Sequence, residues 1–172
     1  ADFARLGYPL DEASNLADAA VIYQNVGDGI ASIGDASEAI ISTMKAFDVE
    51  ASRSMTIVDK FNEVGNNYAI SSKGIGDALS RSASALAAAG NTLDESIALA
   101  TAANSVVQDP EVVGTALKTM SMRLRGAKAD LESAGEATDG MCNSISELQE
   151  KLLALTGNRV DIMLNPETFK ST

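Results

Sequence analysis

The chain has 172 residues, 45% of them hydrophobic and only 4% aromatic, with 28 alanines and no Trp, which suits one helical domain or a short array of small units. It has no His and a single Cys, so Ser-His-Asp triads, Cys-His dyads, His-based zinc sites and an internal disulfide are all impossible within it. A net charge of −11 with few aromatics argues against nucleic-acid binding by phosphate neutralisation or base stacking, and the longest apolar runs fall far short of a membrane span.

Periodicity and punctuation predict helix nearly everywhere. The first helix covers 10–24, with Ala13, Leu16, Ala17, Ala20 and Val21 on one stripe, and Gly27 and Gly29 after it. The second covers 32–46, capped by Ser32, and buries Ala36, Ile40, Met44 and Phe47. Asp48 is expected to cap a third over 49–64, where Ile57, Phe61 and Val64 share a face and Gly65, Asn66 and Asn67 make the break. A fourth covers 72–89 after Ser71 or Ser72, its first turns loosened by Gly74 and Gly76.

Thr92-Leu93-Asp94-Glu95 is a capping box opening a fifth helix over 93–108. Asp109-Pro110-Glu111 opens a sixth over 110–125, where Val113, Ala116, Leu117, Met120 and Leu124 form the expected core stripe. Residues 125–140 either extend it or form a connector. Ser144 and Glu147 suggest a second capping box and a helix over 144–156, with Leu148, Leu152 and Leu155 on one side. Val160, Ile162 and Leu164 suggest a short extended piece, and Asn165-Pro166-Glu167 a further helix start.

Ser32, Ser71 and Asp109 stand 39 and then 38 residues apart. In that register Ala39, Ala78 and Ala116 coincide, as do Ile40, Leu79 and Leu117, and then Phe47, Leu86 and Leu124. The expectation is an all-α array of about three helical hairpins of roughly 40 residues each, which bury their apolar faces by stacking. Residues 1–140 form the helical core module; 141–172 form an additional helix and the start of the next element. With no initiator Met and a helix cut short at Thr172, the chain reads as a piece of a longer protein.

Candidate chemistry has a plain structural explanation at each position. The Gly27-x-Gly29 and Gly74-x-Gly76 turns follow no strand and carry no P-loop Lys-Ser/Thr, so they read as helix ends or loose starts. The acid pairs Asp11-Glu12 and Asp94-Glu95 sit in first turns, where the helix dipole favours them. Asp28, Asp35 and Glu38 lack the spacing of an EF-hand. Cys142 has no His to activate it and reads as a small buried residue at a helix start. Met120, Met122, Met141 and Met163 offer an adaptable partner surface, with Met120 on the core stripe and Met122 off it. Lys118, Arg123, Arg125 and Lys128 form the one basic cluster, a solvated face or a seat for an acidic protein. No catalytic residue, cofactor site or metal site is expected.

Several stretches resemble the core of phage tail tape measure proteins. They are Phe3-Ala4-Arg5-Leu6-Gly7-Tyr8, the Leu10-Asp11-Glu12-Ala13 helix start, Met44-Lys45-Ala46-Phe47 and Leu93-Asp94-Glu95-Ser96. More specific is Gly114-Thr115-Ala116-Leu117-Lys118-Thr119-Met120 followed by Arg123-Leu124, and residues 160–172 resemble the lead into that family's next helix. Pro9 departs from the pattern, standing where a Ser, Thr or Asp cap is usual.

The resemblance implies a non-enzymatic virion protein of the tail, made in the bacterial host cytoplasm, that serves tail length, assembly and genome delivery. The partners it implies are tail tube, baseplate and tail-tip proteins and tail assembly chaperones, with self-association open. The heptad-rich ruler stretch is absent, so this piece is a folded core module and any coiled coil belongs to the parent chain. Two other classes stay open: a generic α-repeat scaffold for a helical or acidic partner, and an enzyme with an unusual Ser, Lys or carboxylate site.

Overall fold

Local signals place most helix starts. In a computed structural model, which describes residues 2–156, the hydroxyls of Ser32 and Ser71 accept the backbone N–H of Asp35 and Gly74 at 3.1 and 3.0 Å. The Asp109 carboxylate accepts from Glu111 and Val112, with Pro110 at the first helical position. Thr92 and Glu95 form the reciprocal capping box. These caps satisfy amide donors that a helix cannot pair internally.

The resulting elements are α1 (Asp2–Arg5), α2 (Leu10–Val26), α3 (Ile33–Phe47), α4 (Ser54–Asn67), α5 (Ser72–Ala88), α6 (Leu93–Val107), α7 (Pro110–Ser133) and α8 (Ile145–Thr156). A single 3-10 turn, Ala51–Arg53, precedes α4. No strand occurs among the described residues, and the fold is all-α. The extended piece at Val160–Leu164, the helix start at Asn165, and Met163 lie outside the described residues.

Hairpins α2/α3, α4/α5 and α6/α7 each pack internally, and α3, α5 and α7 lie side by side as a row. Central α5 touches α3, α4, α6 and α7, and buries Ile75, Ala78, Leu79, Ala83 and Leu86. Small residues let this row close. A Cβ on Gly76 would stand 3.0 Å from the Ala39 Cβ, and one on Gly114 would stand 2.5 Å from the Ala78 carbonyl oxygen. Gly74 likewise packs against Pro110 and Ile70, so these glycines are contact points and not loose starts. Beneath the row, the rings of Tyr23 and Phe61 meet edge to face at 5.9 Å. The Tyr23 hydroxyl donates to the Ser72 carbonyl at 2.7 Å, and the Ser72 hydroxyl donates to the Phe61 carbonyl. Burial, with Asp77 nearby, pushes the Tyr23 phenol well above its ordinary pKa, so it remains a donor.

The structure corrects several expectations. Asp48 ends α3 in the left-handed region (φ 51°), its N–H bonded to Met44, and α4 starts only at Ser54. Asp is among the few non-glycine residues that tolerate this conformation. Gly65, Asn66 and Asn67 stay within α4, because Gly65 gives room for Ser72 and the Asn67 amide bonds back to the Glu63 carbonyl. In α2 the buried face is Ala13, Leu16, Ala19, Ala20 and Tyr23, while Val21 is exposed. In α7 it is Val113, Gly114, Leu117 and Ser121; Ala116 and Met120 are exposed and Leu124 is half-buried. Approach of α5 over Gly114 rotates the helix away from the expected stripe.

Helix α7 continues to Ser133, which settles much of 125–140 as helix. Ser144 caps α8, but the Glu147 carboxylate accepts the N–H of Asn143 at 2.8 Å, one residue earlier than a capping box requires. Of the expected α8 face, Leu148 is half-buried and Leu152 exposed, while Ile145 joins the core. Cys142 is half-buried, not buried.

Leu117 is buried where α7 meets the core, so Leu117→Ala should destabilise the chain by about 2–5 kcal/mol. Thermal denaturation checks this, and an unchanged midpoint contradicts the packing described.

Candidate functional site

The acids are held by helix ends and ion pairs. Glu95 completes the α6 capping box, and Asp94 pairs with Lys60. Asp11 and Glu12 lie in the first turn of α2. Asp35 and Glu38 line a polar cleft of about 200 Å³ with Asp77, Ser80, Arg81 and Glu111, crossed by the Arg81–Glu111 ion pair at 2.6 Å. Asp28 contributes a backbone carbonyl that accepts the Lys73 N–H, and the Lys73 ammonium is held by Asp77 at 2.6 Å. The hydrogen bond to Asp77 raises the Lys73 pKa despite partial burial. Among the described residues, no three Cys, Asp or Glu side chains gather as a metal site.

The basic cluster does not act as one patch. Seven residues separate Lys118 from Arg125, which places them on the same side of α7, whereas Arg123 lies along another side with Thr119 and Met120. Lys128 turns to the loop before α8, donating to Asn143 at 2.8 Å. Met120 and Met122 are both exposed, on different faces, and Met141 is half-buried in that loop. Lys151 approaches Cys142 and pairs with Glu147 at 3.1 Å.

The Asn143 N–H and then Lys151 hold the Glu147 carboxyl below its ordinary value. A depressed carboxyl stabilises the fold above its unfolded-state pKa, and that contribution disappears as pH falls through the lower folded value. Acidification below the ordinary carboxylate range should therefore release the Asn143 amide before the α3–α5–α7 row loosens. Residue-resolved hydrogen exchange reads this directly; simultaneous loss of both contradicts it.

Two open grooves remain. One, of about 550 Å³, follows α7 past Arg81, Val112, Ala116 and Met120. A larger one, of about 1190 Å³, lies between α4 and α6, with Val64 and Tyr68 on one wall and Ala98 and Ala102 on the other. Neither brings together a nucleophile, a base and an oxyanion donor, and what is built with care is helix packing. Sequence reasoning missed both grooves and the two crossing glycines. The available signal was that Gly76 and Gly114 each stand five residues after their cap.

The phage-related minor tail protein family matches residues 1–161. The chain belongs to that family. No solved structure matches it. A phage-related minor tail protein has a structural role in the virion tail, and a stack of helices fastened by small residues is material of that kind. No helix of this minor tail protein among the described residues is long and apolar enough to cross a membrane.

Proposed function

We propose that the chain is a core module of a tail tape measure protein, acting through packing and assembly without catalysis. The family match over residues 1–161 supports the coarser part of this reading, a structural protein of the phage tail. The Gly114–Met120 and Arg123-Leu124 likeness supports the finer assignment, with Pro9 as its departure. In this reading residues 1–140 are the core module, and 141–172 are an additional helix and the start of the next element. Its partners are tail tube, baseplate and tail-tip proteins and the assembly chaperones met in the host cytoplasm. An acidic surface limits adhesion to passing DNA, which is also anionic. Few aromatics and many alanines leave modest stability, which suits a module that must enter and leave a narrow tube.

The groove between α4 and α6 favours a second reading, a scaffold that receives a helical partner there. In-frame deletion of residues 10–124 from the phage gene tests the first reading. Tails should fail to assemble or to deliver DNA. Infectious particles with tails of normal length would leave the scaffold reading in its place.

A further inference from the structure

One packing scheme builds the row twice. Gly76, five residues after the Ser71 cap, closes on Ala39, seven after Ser32; Gly114, five after Asp109, closes on Ala78, seven after Ser71. Nearer the helix starts, Pro110, first after its cap, packs on Gly74, third after Ser71. Helix α5 thus offers its third and seventh positions to the helix that follows it in the row. In α7 those positions are Val112, which is 52% exposed, and Ala116, also exposed, with Met120 one turn beyond. The hydroxyls of Thr115 and Thr119, beside them, already donate to the carbonyls of Glu111 and Thr115, so a cover would strand neither.

The sequence supplies a following helix. Asn165-Pro166-Glu167 repeats the pattern of Asp109-Pro110-Glu111, a side-chain acceptor, then Pro at the first helical position, then an acid. Asn165 stands 20 residues after the start of α8, as Ser32, Ser71 and Asp109 stand 22, 17 and 16 after the starts of α2, α4 and α6. Phe169 falls four residues after that cap, the position of Ala36, Ile75 and Val113, all of them buried. We propose that residues 166–172 are the first two turns of a fourth row helix, docked on the Val112–Ala116–Met120 face of α7 in the same chain. Pro166 then lies on Val112 as Pro110 lies on Gly74, and Phe169 takes the core side of the row.

One position departs from the series. Lys170 stands where Gly76 and Gly114 stand, so the fourth helix approaches less closely. Helix α7 is matched to that wider spacing: where α5 has Gly74 and Ser82 at the third and eleventh positions, α7 has Val112 and Met120. The lysine stem crosses Ala116, and its ammonium leans towards the helix start, where Glu111 lines the same groove. The chain can make the return. Asn143, just ahead of α8, is bonded to Lys128, about 27 Å along α7 from Pro110. Helix α8 spans about 18 Å, and the chain from Thr156 to Asn165 reaches up to about 30 Å, together more than the return needs.

Residue-resolved hydrogen exchange on the whole chain tests the docking. The amides of Phe169 to Thr172, which donate four residues back in such a helix, should exchange at least about tenfold more slowly than an unfolded segment. Ala116→Arg and Phe169→Asp should each abolish this protection while α5 keeps its own. Met120→Glu, also at an exposed position, is the second α7 variant should Ala116→Arg fail to fold. Val21→Arg, on the exposed side of α2, should change nothing. Unprotected amides at 169–172 would overturn the docking, and so would protection that survives both α7 substitutions. Protection that disappears on dilution as the mass falls to 17.8 kDa would also overturn it, since the segment would then come from a second copy. The docking rests on the reading of 141–172 as a further helix and the start of the next element, and none of these outcomes bears on the tape measure assignment.

Discussion

Gly114→Val should unfold the chain or strip it of most of its stability. A Cβ at Gly114 would lie 2.5 Å from the Ala78 carbonyl oxygen and 3.0 Å from the Ala78 Cα, both backbone atoms of the central helix. They cannot turn aside as a flexible side chain could, so α7 must move away from α5 along the whole contact. The separation would uncover Val113 and Leu117 and part of the α5 face. Overpacking at a helix crossing commonly costs about 1–3 kcal/mol, and a clash with backbone should lie at or beyond the top of that range, above about 3 kcal/mol. Urea denaturation followed by circular dichroism measures it. Gly126→Val is the internal control, because nothing lies within 4 Å of a Cβ there; valine is a better helix former than glycine, so this change should be neutral or stabilise by no more than about 0.5 kcal/mol.

Phe61→Ala should be of similar size, about 3–5 kcal/mol. Phe61 is fully buried beneath the row and is one of only four Phe in the chain. Its ring supports Tyr23 edge to face, and Tyr23 in turn bonds to the first turn of α5. Losing the ring leaves a cavity that short alanine side chains cannot refill. A domain of this kind has only about 5–15 kcal/mol in total, so the variant should melt well below the parent. A melting temperature within a degree or two of the parent would show that the Tyr23–Phe61 pair is peripheral.

The parts of this fold that are local in sequence are legible in the sequence. Ser32, Ser71, Thr92 and Asp109 cap because hydroxyl or carboxylate oxygens sit two or three residues before amides that need partners, and no distant residue is required. The register of Ile40, Leu79 and Leu117 holds for a related reason: all three are large, apolar and in mid-helix. The phase of α7 is not legible. Val113, Ala116, Leu117, Met120 and Leu124 make a consistent stripe, yet α5 approaches through Gly114, a residue that carries no hydrophobic signal.

Tyr23 escapes a reading by periodicity because its polar tip hides a buried ring, and the carbonyl it serves lies 49 residues away. Asp48 misleads because an aspartate serves equally to start a helix and to end one in the left-handed region, and only the backbone decides. Among the candidate site residues, the first-turn acids stand where the helix dipole argument puts them, since that argument is local. The separation of the cations over different helix faces, and the exposed strip at Ala116 and Met120, depend on a helix rotation that the sequence leaves open.

The central claim is that this minor tail protein works through its packed row of helices. The most direct test carries Gly114→Val into the phage and counts tails by electron microscopy beside the plaque titre. If the row is what the tail requires, particles should lack tails or fail to infect, as in the deletion of residues 10–124, while Gly126→Val phage remain normal. Normal, infectious tails built with a Gly114→Val chain whose helices are demonstrably unpacked would contradict the account.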